Sequence, residues 1–263
     1  TQYPHMVEVH PVSYLKGNHY LLESLFYLNH TDLFEKTLNR LEQTLENPKL
    51  PNDDNISALA FLYVYSNKLN LRFMKGDFAD GQPLIDTIEE KIEVYRSRLD
   101  GHHIMMFYYK IASLHFGNED FNSCIAYLKR ILDNKGLEMR EDLMCFSRIL
   151  NLVAHYEAGK DYHLDRLIRS TYKFLIRMND LHGVQREMIK FLRQLPDISP
   201  LDIRKEFKRL HGILKQYEEH PYERRAFLYL DILSWLESRI ESRPVAEIIA
   251  QKAGVRKVRR TGS

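Results

Sequence analysis

The sequence predicts an all-α protein, an α-solenoid of antiparallel helical hairpins with about twelve helices. Three observations carry this expectation. Apolar residues recur at steps of three and four along almost the whole chain, and no comparable stretch alternates with period two. Glycine and proline are scarce, 11 and 9 in 263 residues, and no proline falls between Leu84 and Leu195. An all-β chain of this length would need many more turn residues. Finally, the breaks between helical stripes recur at an interval of 41–44 residues.

The stripes place the helices in order. The expected spans are 12–29, 31–46, 54–75, 80–99, 102–116, 120–134, 139–158, 162–179, 181–195, 200–219, 221–241 and 244–253. Phe34, Leu38, Leu41 and Leu45 line the second, and Ile85, Ile88, Ile92, Tyr95 and Leu99 line the fourth. Cys124, Leu128 and Ile131 mark the sixth; Leu164, Ile168, Tyr172 and Leu175 mark the eighth. Ile203, Phe207, Leu210, Leu214 and Tyr217 form the tenth stripe. Ala226, Tyr229, Leu230, Leu233, Leu236 and Ile240 form the eleventh. Ser199-Pro200-Leu201-Asp202 reads as an N-cap hydroxyl before a proline in the first turn. Pro221 and Pro244 can open helices in the same way. Gly76, Gly101, Gly117, Gly136 and Gly159 follow apolar stripes, where a left-handed residue would end a helix.

Three breaks are the same turn: Gly76-Asp77-Phe78, Gly117-Asn118-Glu119-Asp120-Phe121 and Gly159-Lys160-Asp161-Tyr162. Stepping back from Phe78 by a similar interval reaches Phe34, just after Asp32. Two helices per period make a helical-hairpin repeat. One hairpin cannot bury its apolar face alone, so neighbours stack into a continuous core.

From Met105 to Glu138 the chain resembles a tetratricopeptide repeat. Tyr108, Ala112 and His115 stand at the packing places of the first helix, and Cys124, Leu128 and Ile131 at those of the second. Glu119-Asp120-Phe121 stands for the usual Gly-Asp-Tyr turn. Ala112 and Cys124 are the small residues that let helices approach; His115 and Ile131 depart from the pattern. The flanking hairpins match less closely, with Leu69 and Val153 at a small-residue place. The segments Leu167–Leu175 and Leu233–Ile240 are similar to the C-terminal part of long, uncharacterised bacterial tetratricopeptide-like proteins. That resemblance covers roughly residues 140–250 and implies a fold, not an activity. It would make the chain the C-terminal half of a longer solenoid.

The domain expected is a single helical-repeat domain over 1–251, followed by a basic, disordered tail over 252–263. The net charge is +2, which gives no general electrostatic case for nucleic acid. Residues 1–100 hold 10 Lys/Arg against 15 Asp/Glu, so the remainder is basic. Two cysteines, Cys124 and Cys145, make no disulfide framework and suggest a reducing interior. The first residues, TQYPHMVEVHPVSY, show no basic and apolar leader pattern, and no stretch is apolar enough to span a membrane. The first residue is Thr1, so the chain is read as processed or cut from a longer one. A cytoplasmic location is the expectation.

No dinucleotide fingerprint, P-loop, nucleophile elbow, paired Cys-x-x-Cys, His-Glu-x-x-His or calcium loop occurs. The chain is therefore expected to be no enzyme and to hold no cofactor or metal. His115, His155 and Glu157 could in principle make a metal site, but they lack ligand spacing and read better as packing residues. The function expected is a protein–protein interaction scaffold that takes a partner segment in its concave groove. The tetratricopeptide resemblance implies which residues face that groove. In the best repeat they are Met106, Tyr109, Ser113 and Phe116, and in the preceding one Tyr63, Ser66, Asn70 and Phe73. In the following one they are Ser147, Leu150, Ala154 and Glu157. Asn67, Asn70 and Lys110 are the polar groups that could hold a peptide backbone or carboxylate. The full Lys/Asn carboxylate clamp of that family is absent, with Ser66 in place of its first lysine. The competing reading of the aromatic residues is helix packing. The alternatives are a regulatory module that binds a small peptide or ligand, and weak nucleic-acid association through Lys252, Arg256, Lys257, Arg259 and Arg260. Trp235, the one tryptophan, is expected to close the core near the end of the array.

Overall fold

A computed structural model describes residues 6–47, 51, 53–79, 81–134, 141–177, 183–218, 220 and 231–261. Every regular element among the described residues is helical. In order they are α1 (Met6–Val9), α2 (Pro11–Tyr27), α3 (Thr31–Leu45), α4 (Asp54–Lys75), α5 (Gln82–Val94), α6 (Gly101–Gly117) and α7 (Phe121–Leu132). Then come α8 (Glu141–Glu157), α9 (Asp161–Arg177), α10 (Gly183–Gln194), α11 (Ile203–Lys215), α12 (Ile232–Glu241) and α13 (Val245–Thr261). A 3-10 turn, Leu195–Asp197, follows α10. Among the described residues no helix is long and apolar enough to cross a membrane.

The chain divides into two compact units. Unit 1 comprises Thr1–Phe107 and Ile249–Ser263, and unit 2 comprises Tyr108–Ile248. The boundaries fall inside α6 and α13, where helical periodicity marks no break.

In unit 1, α2, α3 and α4 pack against one another. Their core is the predicted stripe of α3, Phe34, Leu38 and Leu41, set against Leu15, Leu22 and Leu25 of α2 and Val64 and Met74 of α4. Phe61 of α4 stacks on Phe107 at 5.1 Å, and Ile85, Ile88 and Ile92 bury the inner face of α5. The start of α4 is fixed by chemistry local to the sequence. Asp53 accepts hydrogen bonds from the N–H groups of Asn55 and Ile56 at 2.8 and 3.0 Å. These satisfy two donors that the first helical turn leaves unpaired. Asp53→Ala should therefore lower the stability of unit 1 by about 1 kcal/mol, read from urea unfolding curves.

In unit 2, consecutive helices pack in sequence: α7 on α8, α8 on α9, α9 on α10, α10 on α11 and α11 on α12, with α10 also touching α8. Ala112 and Cys124 are fully buried, as small residues at close helix approaches should be. Burial pushes the Cys124 thiol up, away from its reactive thiolate form.

The recurrent turn has one geometry throughout. A left-handed residue donates its N–H three residues back, and the next residue donates five back. The pattern occurs at Asn29 (to Phe26, then His30 to Leu25) and at Gly76 (to Phe73, then Asp77 to Arg72). It recurs at Glu119 (to Phe116, then Asp120 to His115) and at Gly159 (to Tyr156, then Lys160 to His155). Gly76 and Gly159 take the predicted left-handed conformation. Gly117 does not: it is the last residue of α6, and Glu119 takes the left-handed position at φ 59° instead. Gly101 likewise opens α6 rather than ending a helix, and Gly136 lies outside the described residues.

Helix α5 ends at Val94, short of the expected residue 99, and three further helix ends differ for local reasons. The helix expected from residue 200 begins at Ile203, because Ser199 first makes a turn. Its carbonyl accepts from the N–H groups of Asp202 and Ile203, and its hydroxyl accepts from that of Leu201. Within the span 221–241, a helix opens at Ile232, where Asp231 caps the N–H of Ser234 at 2.9 Å; residues 221–230 lie outside the described residues. The last helix continues to Thr261 and so takes in Lys252, Arg256, Lys257, Arg259 and Arg260. Lys and Arg are good helix formers.

Candidate functional site

The first candidate surface is built on α2 and α4 in unit 1. Along α4, Tyr63, Asn67 and Asn70 follow one another at steps of four and three, so their side chains share one side of the helix. Hydrogen bonds hold them in a chain. Asn67 Nδ2 donates to the Tyr63 carbonyl at 2.7 Å, and Asn70 Nδ2 donates to Asn67 Oδ1 at 3.2 Å. From α2, the His19 ring stacks on Tyr63 at 4.3 Å and places Nδ1 3.5 Å from Asn67 Nδ2. Asn67 and Asn70 are buried, whereas Tyr63 and His19 are half-buried and form the accessible edge. Glu23 sits one turn along α2, 3.8 Å from His19 Nε2, and Tyr20 beside it is exposed. Burial pushes the Tyr63 hydroxyl pKa up, and Tyr20 and Glu23 add to the shift. Tyr63 therefore stays a neutral phenol at physiological pH.

The remaining predicted groove residues are more enclosed. In unit 1, Phe73 is half-buried with its ring 6.2 Å from Phe78, and Met106 is half-buried. In unit 2, Tyr109 and Phe116 are 1% and 3% exposed, which makes them core residues. Phe116 meets Phe121 edge-on at 5.4 Å, and Ser113 donates to the Tyr109 carbonyl at 3.0 Å. Lys110 is also buried. Of the residues expected to face a groove, the structure joins Tyr63, Asn67 and Asn70 into one connected set. It adds His19, which the sequence reading did not single out. The signal was present: His19 lies on α2 next to the buried Asn18, a polar pair within an otherwise apolar helix face.

A second polar cluster lies in unit 2. Trp235 of α12 is buried, and its Nε1 donates to Glu157 Oε1 at 2.6 Å across 78 residues of chain. Arg239, one turn on, brings Nε to 3.1 Å from the same oxygen, as an ion pair rather than a directed hydrogen bond. Its outer nitrogen lies 3.6 Å from Glu119 in the α6–α7 turn. Phe207 meets the indole edge-on at 5.8 Å. Burial raises the Glu157 carboxyl above its ordinary pKa, and Arg239 and Trp235 offset only part of that. This is a closed, structural arrangement: it uses Glu157 as a buried acceptor and holds Trp235 in the core.

The histidines considered for a metal have other partners. His115 Nδ1 lies 3.4 Å from Asp120 and its ring stacks on Tyr127, while His155 Nδ1 is 2.8 Å from the Asn151 carbonyl. Asp120 also caps α7 through the Ser123 N–H. Burial alone would raise its carboxyl, but the bonds from Ser123 and the neighbouring His115 bring it below the usual value. Among the described residues no three His, Cys, Asp or Glu side chains converge on a point. Comparison of the chain with protein-family models, with curated proteins and with solved structures returns no match.

Proposed function

We propose that the chain is a non-catalytic interaction scaffold, with the α2–α4 face of unit 1 as a docking place for a segment of a partner protein. The observation that carries this reading is the connected row His19–Tyr63–Asn67–Asn70. Two rings stand at the accessible edge, and two carboxamides behind them fix their setting. A surface already ordered by its own helices loses little further entropy when a segment binds. Glu23 and the faces of Tyr20 and Tyr63 suit a segment carrying a Lys or Arg, through charge and cation–π attraction. The recurrent left-handed turn supports stacked helical hairpins within each unit, in the manner of tetratricopeptide repeats.

The test uses a displayed library of random peptides selected on the full chain. The expected result is an enriched basic–aromatic motif whose synthetic peptide binds the wild type and loses at least tenfold affinity with His19→Ala/Tyr63→Ala. The double variant should keep a cooperative thermal melt. Undiminished binding to the double variant would place the docking face elsewhere.

A further inference from the structure

The exposed side of α9 carries a row of cations that meets no carboxylate among the described residues. From Arg166 to Arg177 the sequence reads Arg-Leu-Ile-Arg-Ser-Thr-Tyr-Lys-Phe-Leu-Ile-Arg, with no acidic residue. Ile168, Thr171 and Leu175 point into unit 2, while Arg166, Arg169, Lys173 and Arg177 are exposed. Steps of three, four and four keep the cations on one side of the helix, in a row about 16 Å long at 1.5 Å per residue. Among the described residues none of the four is in an ion pair. In unit 1, by contrast, Lys68, Arg72, Lys75 and Arg98 each meet a carboxylate.

The C-terminal end of the row is reinforced from α8. The Arg148 guanidinium lies over the Phe174 ring at 4.2 Å, and that of Arg177 lies over the same ring at 5.4 Å. Arg148 is half-buried, and its Nε is shielded from water with no hydrogen-bond partner. Two like charges thus share one aromatic ring, one of them partly desolvated. An anion docked beside the pair would relieve the repulsion between the two guanidinium groups. Tyr172 and Ile176 are 39% and 52% exposed. At 100° per residue they border the cation row on the side away from Phe174.

We propose that this face of α9, with Arg148, docks an acidic amphipathic segment of a partner protein. Its carboxylates would meet Arg166, Arg169, Lys173 and the Arg148–Arg177 pair, and its apolar side chains would cover Tyr172 and Ile176. The apolar border favours a polypeptide over a nucleic-acid strand. A strand would call for a basic groove with several stacking rings, whereas this face is one helix with a single exposed ring. The surface lies in unit 2 and does not depend on the α2–α4 face.

Fluorescence anisotropy with the full chain decides the matter. The probe is a labelled 14-residue helical peptide with Glu at every third or fourth position and Leu between. The comparators are the same peptide with Gln for Glu, a 15-nucleotide poly(U), and phosphatidylserine vesicles. The acidic peptide should bind, and the Gln version should bind at least tenfold more weakly. Raising NaCl from 50 to 300 mM should weaken binding several-fold. Arg169→Glu/Lys173→Glu should abolish it with the thermal melt unchanged. Tyr172→Ser/Ile176→Ser should reduce peptide binding several-fold, and His19→Ala/Tyr63→Ala should leave it intact. The proposal is overturned if the acidic peptide does not bind, or if binding survives Arg169→Glu/Lys173→Glu. It is also overturned if poly(U) or vesicles bind as tightly and lose binding with the same variant.

Discussion

Glu157→Ala should destabilise unit 2 by about 2–3 kcal/mol, because it leaves the buried indole N–H of Trp235 without an acceptor. It also removes the nearer of two carboxylates from Arg239, leaving Glu119 at 3.6 Å. The chain has one tryptophan, so its fluorescence reports this site alone. The expected readout is a urea midpoint shifted down with an unchanged slope. A midpoint equal to that of the wild type would show that the bond contributes nothing. Glu157→Gln keeps an oxygen for the indole and removes the charge, so it should be much milder. The two variants also separate in pH. Burial raises the folded-state carboxyl pKa above its unfolded value of 4.5. The contribution of this group is therefore fully present below about pH 4.5 and is lost as pH rises through the folded-state value. Wild-type stability relative to Glu157→Gln should be highest near pH 4.5 and fall towards pH 7. A flat difference across that window would mean that the carboxyl titrates normally.

Phe34→Ala should cost unit 1 about 3–5 kcal/mol, the largest effect of any single substitution considered. Phe34 is fully buried in the α2–α3–α4 core, among Leu15, Leu22, Leu38 and Leu41. Removing a ring there loses its transfer free energy and leaves a cavity that three helices from different turns cannot close. Leu33, the preceding residue, is 52% exposed, and Leu33→Ala should change stability by less than about 0.5 kcal/mol. Hydrogen exchange followed by mass spectrometry separates the two. Amides of α2, α3 and α4 should lose protection in Phe34→Ala and keep it in Leu33→Ala. Equal protection in both variants would mean that the α3 stripe is not the centre of this core.

Much of the helical order was legible because it rests on local physics. Period and capping need only neighbours in sequence, so α3, α4 and α7 fall close to their expected spans. Some of what was misjudged was local, and the rest depended on groups distant in the chain. Glycine at 117 suggested the left-handed turn residue, but the geometry of the hairpin fell on Glu119 instead. Glu157 read as a groove position, yet it meets an indole 78 residues away. Tyr109 and Phe116 fitted a groove or a core, since an aromatic stripe has the same spacing in either role, and the packing puts them inside. The cation row of α9 was visible as Arg and Lys at steps of three and four. A net charge of +2 over the chain masked it.

The bond between Trp235 and Glu157 also has a bearing on synthesis. A ribosome adds about 5–20 residues each second. The 78 residues between acceptor and donor therefore take roughly 4–16 s to appear after Glu157 emerges. During that time Glu157 of α8 lacks both the indole N–H and the Arg239 guanidinium that it meets in the folded unit. Arrival of α12 closes the arrangement. A nascent chain released before residue 235 should therefore hold unit 2 in a looser state that proteases cut readily.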